Sequence, residues 1–236
     1  MKKYCIINGD DFGFSHGINR GILEAHQQGV LTSTSLMVDR PAAGGAAKLS
    51  GQAPRLSVGL HIVLSYEDCT PRIDFNIPEQ CRSEIARQWD RFTELMDQPP
   101  SHLDAHHNIY RDERLTPVFL EWADEKKIPL REHSPVTYFP DFYGQWDGET
   151  HLEQISVQNL CHILSTRIGP GLTELGCHPG YIDPNFDSSY AIERETELET
   201  LCSPVVQEAI CELGIKLISY NDLSAVVLDA EAGSLA

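Results

Sequence analysis

Short apolar runs and longer amphipathic stretches alternate along the whole chain, and no Ser/Gly-rich linker, charge block or internal repeat interrupts them. The runs at 4–8, 34–38, 57–63, 102–106, 128–131, 173–178 and 216–220 are short, and most are nearly continuous in Val, Ile and Leu. They read as strands. Strands apolar on both faces suit a parallel sheet covered by helices. Helical spacing of apolar residues fills the intervals at 17–28, 79–96, 116–125, 152–167 and 193–213. The order predicts an α/β fold: a single-domain (β/α) barrel, distorted or incomplete and TIM-like, with an open doubly wound sheet as the competing arrangement. Both place functional residues at the C-terminal ends of the strands.

Two stretches break the alternation. Residues 134–150 (SPVTYFPDFYGQWDGET) are too long for a simple connector and hold Tyr138, Phe139, Phe142, Tyr143 and Trp146, which points to a functional loop or lid. These rings suit stacking on sugar faces, with Tyr143 and Trp146 as candidate substrate contacts; they equally suit a packed lid or the contact of a homodimer. Residues 66–78 form a second irregular stretch open to a similar part.

Composition narrows the possibilities. At 236 residues and 41% hydrophobic, the chain can bury one sizeable core, so one domain over 1–236 is expected, and 22% charged residues exclude global disorder. Eighteen basic against thirty-five acidic residues give a net charge of −17, which repels phosphate backbones and anionic headgroups. Nucleic acid and membranes are therefore not expected partners. The start, MKKYCIINGDDFG, is neither a secretory signal nor a membrane span, and seven scattered cysteines without a CxxC pair fit free thiols in a reducing, cytoplasmic setting.

The polar residues of interest sit at the predicted strand ends. The first run ends in Asn8-Gly9-Asp10-Asp11-Phe12-Gly13. Adjacent carboxylates repel unless a cation neutralises one or a proton is retained, so the pair reads as a metal ligand beside a general base. The plainer reading makes one of them the N-cap of the following helix. His61 closes an apolar run, where a hydrogen-bonded core role competes with ligation. In Ser101-His102-Leu103-Asp104-Ala105-His106-His107-Asn108, alternation puts His102, Asp104 and His106 on one face, with Asp104 placed to orient the His106 ring. His178, in Cys177-His178-Pro179-Gly180, is a candidate acid or base. Arg131 is set either to orient Asp10 or bind substrate, or to pair at the surface with Glu132. Asp11, His61, His106 and His178 come from four strand ends that converge in a barrel, and one carboxylate with two imidazoles leaves coordination positions open, as a catalytic site requires. Imidazole-rich ligation favours Zn²⁺ over Mg²⁺.

The ordered series NGDDFG, GILEA, GVLTSTSLMV, GLHIVL, SHLDAHHN and CHPGYID resembles the YdjC/ChbG-like carbohydrate deacetylase family, of the chitooligosaccharide deacetylase type, over nearly the whole chain. The resemblance implies a divalent metal held by Asp11, His61 and His106, with Asp10 as base and His178 as acid. It implies Mg²⁺, where the donor types favour Zn²⁺, so the expected cofactor is one ion, Zn²⁺ or Mg²⁺. Many members carry three consecutive histidines where this chain has His106-His107-Asn108, which leaves Asn108 to bond a sugar hydroxyl or line the mouth. The implied reaction is hydrolysis of an N-acetyl group on an amino sugar or short oligosaccharide. A different metal-dependent amidohydrolase or phosphoesterase, or a non-catalytic sugar- or metal-binding protein, is the alternative.

Overall fold

The structure, a computed structural model, describes residues 2–184 and 188–234. Its strands are β1 (Lys3–Phe12), β2 (Ser33–Leu36), β3 (Ser57–Ile62), β4 (Leu103–Ala105), β5 (Thr137–Phe139), β6 (Gln145–Trp146), β7 (Glu149–Thr150), β8 (Gly171–Cys177) and β9 (Ile215–Leu217). Seven of them form one all-parallel sheet with the path β4-β3-β2-β1-β8-β5, and β9 joins it on β1. β1 is the centre. Its first residues, Lys3 to Cys5, pair with β9, whereas β2 takes the same edge from Asn8 onward and β8 covers the other edge. A strand hidden on every side is apolar without alternation, and β1 is buried from Tyr4 to Phe12.

Among the described residues the path does not close on itself, yet the sheet curls until its edges meet. A parallel bridge joins Leu103 to Leu130 beyond β4. The next residue, Arg131, lies 4.6 Å from the Tyr138 ring of β5 and bonds Glu174 of β8. The expected incomplete (β/α) barrel is the fold observed.

Helices α1 (His16–Gln27), α2 (Ala43–Ser50), α3 (Pro78–Met96), α4 (Thr116–Lys126), α5 (Val157–Thr166), α6 (Ile192–Leu201), α7 (Pro204–Glu212) and α8 (Leu223–Ser234) cover the sheet. Ile18 and Ile22 of α1, Ile85 and Phe92 of α3 and Phe119 of α4 are wholly buried against it. The structure adds α2 and α8 to the expected helices and departs from expectation at four further places. The helix expected over 193–213 is two, because Pro204 has no N–H to continue α6 and instead starts α7. Residues 152–155 are a 3₁₀ turn, and α5 begins only after Ser156, whose hydroxyl accepts from the Asn159 amide. Residues 128–131 supply a bridge rather than a strand. The 134–150 stretch is not all loop. It holds β5, in register with Thr173 to Leu175, and the β6–β7 hairpin, whose turn takes positive φ at Asp147 and Gly148. All seven cysteines are free, and no described helix is long and apolar enough to cross a membrane.

Candidate metal centre and active site

β1 ends in an irregularity. Its register to β2 shifts between Gly9 and Phe12, and Asp11 takes φ 68°. Regular alternation would send Asp10 and Asp11 to opposite faces; the left-handed step at Asp11 turns both carboxylates into one cavity of about 360 Å³, a size typical of small-molecule sites. Neither caps α1, since Ser15 accepts from the Ile18 amide at 3.2 Å. Each carboxylate has its own guanidinium. Arg131 donates from Nη1 to Asp10 Oδ2 (2.8 Å) and from Nη2 to Asp10 Oδ1 (2.7 Å), and Arg194 of α6 donates to Asp11 Oδ2 at 2.6 Å. Burial pushes both carboxyls up; the arginines first and the neighbouring histidines after them more than reverse it, holding both well below the usual carboxylate range.

The other oxygen of Asp11, Oδ1, is buried without a hydrogen bond. His61 Nε2 stands 3.4 Å from it and His106 Nδ1 3.3 Å. Donors arranged tetrahedrally about an ion at roughly 2.0–2.1 Å stand about 3.3 Å apart, so this O,N,N set fits a divalent cation and leaves room for further ligands. Asp10, His61 and Asp104 also approach one another, but the Arg131 guanidinium already lies on both of those carboxylates as their cation.

Sheet register explains the support. His61 pairs with Asp104 across β3 and β4, and its Nδ1 is 2.8 Å from Asp104 Oδ1, which turns Nε2 toward Asp11. Asp104 therefore orients His61, not His106, which lies just past the end of β4: cross-strand contact prevails over same-face spacing. Burial pushes the His61 imidazole down, but Asp104 and the β1 aspartates carry it up to about 10; His106 is raised for a similar reason. In the cation-free protein the His61 ring holds a proton that a metal must displace.

His178 follows β8, with Nε2 4.0 Å from Asp10 Oδ2, and burial brings it down to about 4, so the ring is neutral at pH 7. Its backbone is fixed from α6. The His178 amide donates to Glu197 Oε2 at 2.5 Å, and Arg194 Nη1 reaches the His178 carbonyl at 3.4 Å. Glu197 is itself pushed up to about 8 by burial and accepts a hydrogen bond from Tyr190 Oη.

The remaining expected residues divide. Tyr143 lines the cavity, stacked 4.5 Å from Tyr190 and edge-on to His178. Asn108 also lines it, with φ 50° and Oδ1 accepting from Tyr110 Oη at 3.0 Å. Trp146 sits outside the cavity wall, on β6, stacked 3.6 Å from His151 and 43% exposed. Arg131 is wholly buried and spends its donors on Asp10, Asp104 and Glu174. Its place is behind Asp10, and Glu132 pairs with Arg111 instead. His102 is buried and stacked on Tyr220 at 3.8 Å. Sequence reasoning missed Arg194, Glu197, Glu174, Tyr190 and Glu67. The one available signal was the i, i+3 spacing of Arg194 and Glu197, which puts both on one helix face.

Residues 4–212 match the family described as YdjC-like protein. A carbohydrate deacetylase of Geobacillus stearothermophilus is 38% identical, over 94% of this chain and 98% of that protein. A chitooligosaccharide deacetylase of Yersinia enterocolitica is 32% identical, over 94% and 100%. Among solved structures, a candidate cellobiose-phosphate cleavage protein from Enterococcus faecalis V583 superposes with a TM-score of 0.73 at 28% identity, covering 94% of this chain and 99% of that one.

Proposed function

The chain belongs to the YdjC-like family, and on that footing we propose that it is a metal-dependent carbohydrate deacetylase, releasing acetate from the N-acetyl group of an amino sugar or short oligosaccharide. One observation carries the reading. Asp11 Oδ1, an oxygen with no hydrogen bond, faces two imidazole nitrogens at 3.3 and 3.4 Å, beside a second carboxylate that is paired and aimed. Asp11, His61 and His106 would hold the ion, and the nitrogen-rich donor set favours Zn²⁺ over Mg²⁺. When bound, such an ion supplies Lewis acidity to the acetyl carbonyl and acidifies the attacking water, from a pKa of 15.7 toward roughly 7 for zinc.

The residues do the rest. Arg131 fixes the Asp10 carboxylate on two hydrogen bonds and keeps it ionised, so Oδ2 is ready to take the proton of that water. His178 Nε2, 4.0 Å from the same oxygen and neutral at rest, can accept the proton and deliver it to the departing amine. Tyr143 presents a ring to a sugar face at the cavity wall, and Asn108 can meet a hydroxyl. Seven free thiols fit a reducing compartment, and the net charge of −17 disfavours polyanionic glycans.

The test is acetate release from N-acetylglucosamine oligomers before chelation, after exhaustive chelation, and after return of Zn²⁺ or Mg²⁺. Turnover lost on chelation and restored by one ion is the expected result. Turnover indifferent to chelation removes the metal from the reaction, and no acetate under any condition removes the deacetylase reading.

A further inference from the structure

Glu67 lies in the second irregular stretch of the sequence, which the chemistry above leaves without a part. The structure folds the start of that stretch into a tight turn. Ser65 bridges Pro71, and the Tyr66 and Cys69 amides donate to the Thr70 and Tyr66 carbonyls, both at 2.9 Å. The base of the turn meets the end of β4, where Ser65 Oγ and His107 Nδ1 are 3.0 Å apart. From here Glu67 reaches two ways. Oε1 is ion-paired with Arg40, whose guanidinium lies 4.3 Å from the ring of Phe14, three residues past Asp11. Oε2 stands 3.5 Å from His106 Nε2, a buried nitrogen without a hydrogen bond on a residue only 8% exposed.

The two imidazoles of the cation site are thus supported unequally. His61 already rests its far nitrogen on Asp104 at 2.8 Å, whereas the far nitrogen of His106 faces Glu67 across a gap slightly too long for a good bond. An imidazole that ligates through one nitrogen donates from the other, and a carboxylate placed there fixes the ring and raises its basicity. We propose that Glu67 is the positioning residue of His106, and that ligation at Nδ1 draws Oε2 onto Nε2–H and so latches the 65–71 turn to the cavity rim. The proposal rests on the metal-dependent reading of the site.

The test is titration of the cation-free chain with Zn²⁺ against a chromophoric chelator, with hydrogen exchange of residues 65–72 followed in the same samples. The Glu67 side chain is 32% exposed, so its replacement leaves the core intact, and far-UV circular dichroism verifies this for each variant. Glu67→Ala should weaken Zn²⁺ binding about 10- to 100-fold. Glu67→Gln, which keeps an acceptor, should recover part of the loss. Zn²⁺ should slow exchange in the turn of the wild type and not in Glu67→Ala. Wild-type affinity in Glu67→Ala, or exchange in the wild-type turn that ignores Zn²⁺, overturns the proposal while leaving the metal reading in place. A wild-type chain that binds no divalent ion overturns both.

Discussion

Asp10 and Asp11 are neighbours in sequence with separate surroundings, and the separation is made by their arginines. Arg194 occupies Asp11 Oδ2 and leaves Oδ1 to the histidines; Arg131 grips both oxygens of Asp10. Asp10→Asn should therefore lower turnover by about 10²–10⁴-fold while metal content by elemental analysis stays near wild type. His106→Ala should lose the metal itself. Equal metal loss in both would refute the division of roles. Proton linkage gives a second expectation. Because Asp104 and the β1 aspartates carry the cation-free His61 up to about 10, that ring is protonated at pH 7 and must release a proton when the ion binds. Apparent metal affinity should thus rise with pH from 6 to 9, and calorimetry in buffers of different ionisation enthalpy should detect proton release. The residue types were legible in the sequence because they stand at strand ends. Their partners were not, since Asp104 reaches His61 through sheet register and Arg194 arrives from 183 residues away.

At the scale of elements, most strands and helices announced themselves, because burial on both sides makes β1, β3 and β8 largely apolar without alternation and the helices one-sided. Residues 137–139 join the sheet through pairing with β8, and nothing local to Thr-Tyr-Phe declares it inside so aromatic a stretch. α6 misleads differently: its run ERETELET is strongly polar, yet Glu193, Arg194 and Glu197 are all buried, with Glu193 on Thr150, Arg194 on Asp11 and Glu197 on the His178 amide. The β6–β7 hairpin carries Trp146 away from the cavity wall, while Tyr143 remains on it. Trp146→Ala should leave turnover of a monosaccharide within about twofold of wild type, and Tyr143→Ala should raise KM for the same substrate. The reverse order would place the hairpin over the reacting sugar.

At the scale of the molecule, the curled sheet lets strand ends distant in sequence share one cavity, as the α/β order predicted. The family match ends at residue 212, yet β9 completes one edge of β1, and beyond it Tyr220 bonds Glu174, which in turn holds Arg131. Tyr4, Ile6, Ile218 and Tyr220 also belong to one buried cluster on that side. A chain cut after Gly214 should therefore scatter light and partition to the insoluble fraction; a soluble, monomeric product with native circular dichroism would contradict this.

The position of β1 has a consequence for synthesis. Its first residues leave the ribosome more than two hundred residues before the strand that will cover them. At about 5–20 residues per second, that edge waits roughly 10–40 s with its amides bare. During the wait another nascent chain can add a strand there. Lys2 and Lys3, at the very start of the run, are suited to act as gatekeepers, keeping apart identical copies that meet before translation ends.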